Sequence, residues 1–121
     1  MPFQWSDFLD IAKFLRNSGK TSSLPPDAAY RCAISRAYYA AFCHSRDYAE
    51  KNLGFVPLKT PKDHERLRIH LAKHNRGKIA TTLDRLRQWR NDSDYDNPSP
   101  TITDTNAEIA INKAEKIIQS M

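Results

Sequence analysis

Glycine is almost absent: the 121 residues contain three, Gly19, Gly54 and Gly77, each isolated from the others. A Gly-rich loop that cradles phosphate through its backbone therefore cannot be built, which removes the P-loop and dinucleotide-fingerprint classes. Also missing is any apolar run near the ~20 residues needed to span a bilayer, and no basic stretch with an apolar core opens the chain. A cytoplasmic location without a membrane partner is the expectation. No segment alternates β-branched and polar residues with period 2, so strands are not expected. The two cysteines, Cys32 and Cys43, lie eleven positions apart in one predicted helix. That is roughly 16 Å at ~1.5 Å per residue, too far for a disulfide. Both are expected as reduced, buried small hydrophobes.

What is present is helical punctuation. The spacing predicts an all-α, single-domain chain over 1–121: an up-and-down antiparallel bundle of about five helices. A first helix is expected from about Trp5 to Asn17, capped by Ser6 or Asp7, with Phe8, Ile11, Ala12 and Leu15 on one stripe and Gly19 past its end. The second starts after Pro25-Pro26 with Asp27 as cap and runs to Leu53, where Gly54 offers a left-handed stop. Its AAYRCAISRAYYAAFC stretch is apolar on nearly every side, the mark of a central helix. Ala29, Ala33, Ala37 and Ala41 recur every fourth position, a face for close approach either within the core or to a dimer partner.

Lys62 to His74 reads as a third helix with Leu67, Leu71 and His74 in line, and about Lys78 to Asn91 as a fourth, with Ile79, Leu83, Leu86 and Trp89 or Arg90 along a stripe. Asn97-Pro98-Ser99-Pro100 must be a loop. The last helix is expected to open on a Thr105-x-x-Glu108 capping box and to bury Ile109, Ile111, Ala114, Ile117 and Ile118.

Charge is unevenly placed. Residues 62–90 carry nine basic side chains against Asp63, Glu65 and Asp84, a local +6, whereas residues 91–121 carry two lysines against six acids, a local −4. A basic block of this kind suits an anionic partner, nucleic acid above all, although a solvated helix face accounts for it equally. Lys78, Arg85 and Arg87, with Arg36 from the second helix, are the candidate nucleic-acid ligands.

No metal and no cofactor is expected. His70 and His74 stand four apart, but neither HExxH nor CxxC accompanies them. Cys43 and His44 are helical neighbours whose side chains point about 100° apart, so they form no nucleophile–base pair. The remaining candidate is RNDSDYD, residues 90–96. Arg90 offers a guanidinium fork suited to phosphate; if the chain turns at Asp92 to Asp94, Tyr95 comes alongside it to donate a hydrogen bond or stack on a base. The structural alternative is that Arg90 pairs with Asp94 or Asp96 and closes the helix end while Tyr95 packs on the core. Asp94 and Tyr39 are the candidate orienting residues.

SRAYYAAF (Ser35 to Phe42) followed by LRQWRNDSDYD closely resembles the HEPN family (higher eukaryotes and prokaryotes nucleotide-binding) in order and spacing from about Ala29 to Asp96. DHERLRIHL also sits where relatives often carry a histidine before a third helix. The resemblance implies a helical homodimer with motif arginines of two subunits facing one cleft. It also implies metal-independent ribonuclease activity, a toxin–antitoxin or defence setting, and a small nucleotidyltransferase encoded nearby. The family motif is an arginine, a polar residue and a histidine a few positions on. Arg90 and Asn91 match the first two, and the histidine position falls on Tyr95. A phenol with an ordinary pKa of about 10 is a poor general base at pH 7. Arg68 with His74 forms a rival frame but lacks the polar neighbour, since Ile69 follows Arg68. RNA or nucleotide binding with weak cleavage is the expected function; the alternative is a non-catalytic helical dimer that serves as a binding module for a nucleotidyltransferase or other partner.

Overall fold

A computed structural model describes residues 2–121. It contains five helices: α1 (Asp7–Lys20), α2 (Pro26–Asn52), α3 (Asp63–Lys73), α4 (Gly77–Tyr95) and α5 (Asp104–Gln119), and no strand among the described residues. The all-α reading holds. α2 packs against each of the other four helices, as its all-round apolar surface requires. One buried cluster draws on every helix, with Leu9, Ile34, Tyr38, Leu67, Leu71, Leu83, Leu86 and Ile111 among its larger members. Ala29, Ala33, Ala37 and Ala41 are all buried within this cluster or beside it, so the alanine face belongs to the core of the chain.

Several boundaries differ from expectation for identifiable reasons. α1 continues to Lys20 and takes Gly19 inside it, where a Cβ would meet Tyr30 at 2.9 Å and Ala29 at 3.0 Å. The missing side chain therefore serves α1–α2 approach instead of ending the helix. Gly54 does adopt the left-handed conformation (φ 69°) after α2. Asp27 is not the cap of α2. Pro25 takes that position, and Asp27 lies inside the first turn, paired with Arg31 at 2.7 Å. α5 starts earlier than its predicted capping box: Thr103 accepts the Asn106 N–H at 3.0 Å, and Glu108 instead meets Arg16 at 3.1 Å. Arg16 also grips Asp104 through Nε and Nη2 (2.9 and 3.0 Å), a two-pronged tie between α1 and the start of α5. Ile109 and Ile11 are exposed, because the buried faces are centred on Ala107, Ala110 and Ala114 in α5 and on Leu9 and Ala12 in α1. Cys43 is buried as expected, whereas Cys32 is exposed.

Candidate functional site

Arg90 lies in the last turns of α4, one turn beyond the fully buried Leu86. That spacing aims its long side chain inward along α2, and its guanidinium sits over both Tyr38 (5.6 Å) and Tyr39 (5.5 Å). Only 14% of the side chain is exposed, and Asp94 approaches Nη1 at 3.6 Å. Among the described residues, Arg90 Nε is buried without a hydrogen-bond partner, and so is Arg87 Nε. Unsatisfied buried donors are uncommon and call for an acceptor.

The helix does not turn at Asp92 to Asp94. Arg31, some sixty residues earlier, donates from Nη1 to the carbonyls of Ser93 (3.0 Å) and Asp96 (2.7 Å). Ser93 Oγ bonds back to the Trp89 carbonyl at 2.8 Å. A cation on the orphan carbonyls is a favourable C-terminal cap, and it prolongs α4 to Tyr95. Tyr95 consequently stays 76% exposed, five helical steps or about 140° around from Arg90. It does not pack on the core, and it borders the Arg90 groove from the rim.

A residue absent from the candidate list joins the cluster. His64, in the first turn of α3, stacks on Phe42 (centroids 4.1 Å, planes 12° apart) and on Tyr38 (5.7 Å). Its Nδ1 is hydrogen-bonded to the hydroxyl of Tyr38, a phenol only 1% exposed. Nε2 has no partner among the described residues. Burial first, then the positive charges of Arg90, Arg68 and Arg87, push the His64 imidazole below its ordinary value, with Asp63 opposing. Burial likewise pushes Tyr38 up, against the pull of Arg68, Arg90 and Arg87, so it stays a phenol. Asp84 organises two of these arginines, meeting Arg87 at 3.2 Å and Arg68 at 3.6 Å. The DHERLRIHL histidine was the only sequence signal for this position.

Tyr39 divides two adjoining grooves. One, of about 590 Å³, is lined by Arg31, Cys32, Arg36, Arg90, Asp94 and Tyr95 among others. The other, of about 810 Å³, contains His64 with Phe42, Arg46 and Lys59. Arg36 and Arg90 both lie over the Tyr39 ring, at 5.4 and 5.5 Å, which fixes its orientation through cation–π attraction. Of the candidate residues, Arg90, Asp94, Tyr39, Arg36 and Tyr95 thus share a groove. Asn91 is half-buried next to it. Arg87 pairs with Asp84, which also meets Arg68, and its charge acts on His64. Arg85 is exposed, over Trp89 at 6.0 Å. Lys78 stands apart, roughly 18 Å from Arg90 along α4, in a groove with Arg76, Lys113 and Lys116.

Asp63 holds the connection that delivers His64. Its buried carboxylate accepts the N–H groups of Leu58 (3.0 Å) and Lys59 (2.8 Å) and a guanidinium N–H of Arg66 (2.7 Å). Burial opposes ionisation, but these donors outweigh it and hold the carboxyl below its usual 3.8. The stability it contributes is therefore complete above that ordinary value and is lost as pH falls through the lower, folded value. Asp63→Ala, which orphans both N–H groups, is expected to cost about 1–3 kcal/mol in urea unfolding at pH 7. Asp63→Asn is expected to show a smaller loss between pH 7 and pH 3 than the parent.

The other histidines are occupied elsewhere. His70 Nε2 bonds to the Leu53 carbonyl at 2.6 Å, His74 Nδ1 to the His70 carbonyl at 2.8 Å, and the two rings stack at 4.3 Å. His44 approaches the Met121 carbonyl at 3.3 Å. No group of three or more His, Cys, Asp or Glu among the described residues is arranged to hold a metal ion. No described helix is long and apolar enough to cross a membrane.

Compared with known proteins, no curated protein and no solved structure matches the chain. The family model for the HEPN domain matches residues 6–121. The five-helix architecture and a family match over almost the full length agree, and the chain belongs to the HEPN family.

Proposed function

We propose that this HEPN protein binds RNA or a nucleotide through an arginine-containing cleft formed by two copies of the chain. It has weak, metal-independent ribonuclease activity and acts in the cytoplasm as one component of a prokaryotic toxin–antitoxin or defence-type pair. The observation that carries the reading is Arg90: a guanidinium braced on two tyrosines, with a buried Nε lacking an acceptor among the described residues, at the edge of a groove bordered by Arg31 and Arg36. Such a fork suits a phosphate, and the exposed ring of Tyr95 at the rim suits a base.

A second reading is favoured by Tyr95 itself. A solvent-exposed phenol in place of the motif histidine is a poor base, which fits a non-catalytic dimer that serves as a binding module for a nucleotidyltransferase or another protein. Fluorescence anisotropy with a labelled single-stranded RNA across a salt series separates the two. The first reading expects log Kd to rise linearly with log salt, and Arg36→Gln and Arg87→Gln each to weaken binding about 3- to 10-fold. RNA affinity insensitive to both substitutions and to salt would overturn it. Sedimentation at micromolar protein is expected to show a dimer.

A further inference from the structure

We propose that His64 is the proton-transferring residue of this site, occupying in space the role that Tyr95 cannot fill in sequence. The inference rests on the ribonuclease reading and adds to it the group that moves the proton.

The geometry carries it. Arg90 lies 5.6 Å from the Tyr38 ring centre and the His64 ring lies 5.7 Å from the same centre. Guanidinium and imidazole are therefore no more than about 11 Å apart. That interval accommodates a phosphodiester gripped by Arg90 with its neighbouring ribose hydroxyl turned to His64. Tyr39 stands between the two grooves and faces both groups, at 5.5 Å from Arg90 and 6.3 Å from His64. An RNA strand crossing this ring gains a stacking surface and reaches both sides.

Orientation is built in. Phe42 and Tyr38 hold the imidazole in parallel stacks, and the Tyr38 hydroxyl engages Nδ1. When Nδ1–H donates to the phenol oxygen, Nε2 presents its lone pair. The groups that act on the imidazole are Tyr38 and Tyr39 from α2, Asp63 and Arg68 from α3, and Arg87 and Arg90 from α4, while Arg46, Asp47 and Glu50 from α2 and Lys59 before α3 line the same groove. Burial first, then the charges of Arg90, Arg68 and Arg87 against the Asp63 carboxylate, hold the imidazole below its ordinary value, which favours the neutral form that accepts a proton. Tyr38 is then a positioning residue, acting on substrate only through His64.

The step balances without a co-reactant. His64 Nε2 takes the proton of the ribose 2′-hydroxyl, and the 2′-oxygen bonds to phosphorus. The bond from phosphorus to the 5′-oxygen breaks, leaving a 2′,3′-cyclic phosphate. The 5′-oxygen takes a proton from solvent, and the imidazolium releases one to solvent. Arg90 meets the charge that develops on the phosphoryl oxygens.

The test uses the full chain, a labelled single-stranded RNA and a chelator, with cleavage followed from pH 5 to pH 9 and binding by anisotropy. His64→Gln is expected to slow cleavage about 10²- to 10⁴-fold while RNA Kd stays within about threefold. The acidic limb of the wild-type profile, with a midpoint below the ordinary imidazole value of about 6.5, is expected to vanish. Tyr38→Phe is expected to lower kcat with KM unchanged and to move that midpoint. Should His64→Gln fail to melt cooperatively, His64→Asn and the Tyr38→Phe profile carry the comparison. Wild-type cleavage rates with an intact acidic limb in His64→Gln would overturn the assignment. A wild type that binds RNA but cuts it at no pH would overturn it while leaving the binding reading in place; RNA neither bound nor cut would overturn both.

Discussion

Arg90→Ala is expected to reduce metal-free RNA cleavage at least 100-fold and to weaken RNA binding about 10-fold. Removal of one preorganised donor to a developing oxyanion has an effect of about 10²–10³ on rate, and Arg90 presents a fork with most of its donors uncommitted. Asp94 meets only Nη1, and at 3.6 Å. Arg90→Lys distinguishes charge from geometry. A lysine restores a point charge but not the planar pair of donors or the same stacking on Tyr38 and Tyr39. It is expected to recover most of the binding and less than a tenth of the cleavage. Thermal melts accompany both variants. If alanine at this position unfolds the protein, or splits a dimer without a change in monomer chemistry, the arginine is a structural staple and the binding role falls.

The second large effect concerns the platform beneath that arginine. Leu86 is completely buried, and the helix periodicity places it directly below Arg90. Leu86→Ala is expected to cost about 2–5 kcal/mol, the transfer term plus the cavity it leaves. Against a total of about 5–15 kcal/mol for a small domain, this is a large fraction, and a fall in Tm of about 10 °C or more follows. Calorimetry on the two proteins checks it, with Ile69→Ala as control: Ile69 is 48% exposed, and its truncation is expected to change stability by less than about 0.5 kcal/mol. A Leu86→Ala protein that melts with the parent would show that α4 is not anchored through this residue. Because the same residue sets the depth of the guanidinium, RNA cleavage by Leu86→Ala is also expected to fall more than its folded fraction does.

The helices were legible in the sequence because their causes are local. α2 announces itself by an apolar surface on every side, and Gly54 by the left-handed residue it supplies. The ends of α1, α4 and α5 were not legible for the opposite reason. Gly19 reads as a terminator until Tyr30 is seen lying against it. α4 reads as closing at Asn91 until Arg31 arrives from the other end of α2 to hold the carbonyls of Ser93 and Asp96. Arg90 and its tyrosines were recognisable from the two motifs. His64 was one of four histidines, marked in the sequence only by its place in DHERLRIHL. What sets it apart is a hydroxyl 26 positions earlier and an arginine 26 positions later, a pairing that only packing creates. Tyr95 shows the limit of motif alignment: the register names it as the histidine's replacement, while the helix carries it to the rim.

Cys32 gives this groove a built-in reporter. It is the exposed member of the two thiols, and it lines the same depression as Arg36, Tyr39 and Arg90. Cys43 is buried, and that burial pushes its thiol up, away from the reactive thiolate. A maleimide or disulfide reagent under native conditions therefore addresses essentially one sulfur, in the wall of the Arg90 groove, with no engineered cysteine. Its rate of modification tracks occupancy of the groove directly, so ligands can be screened by the protection they confer before any of them is known to be cut.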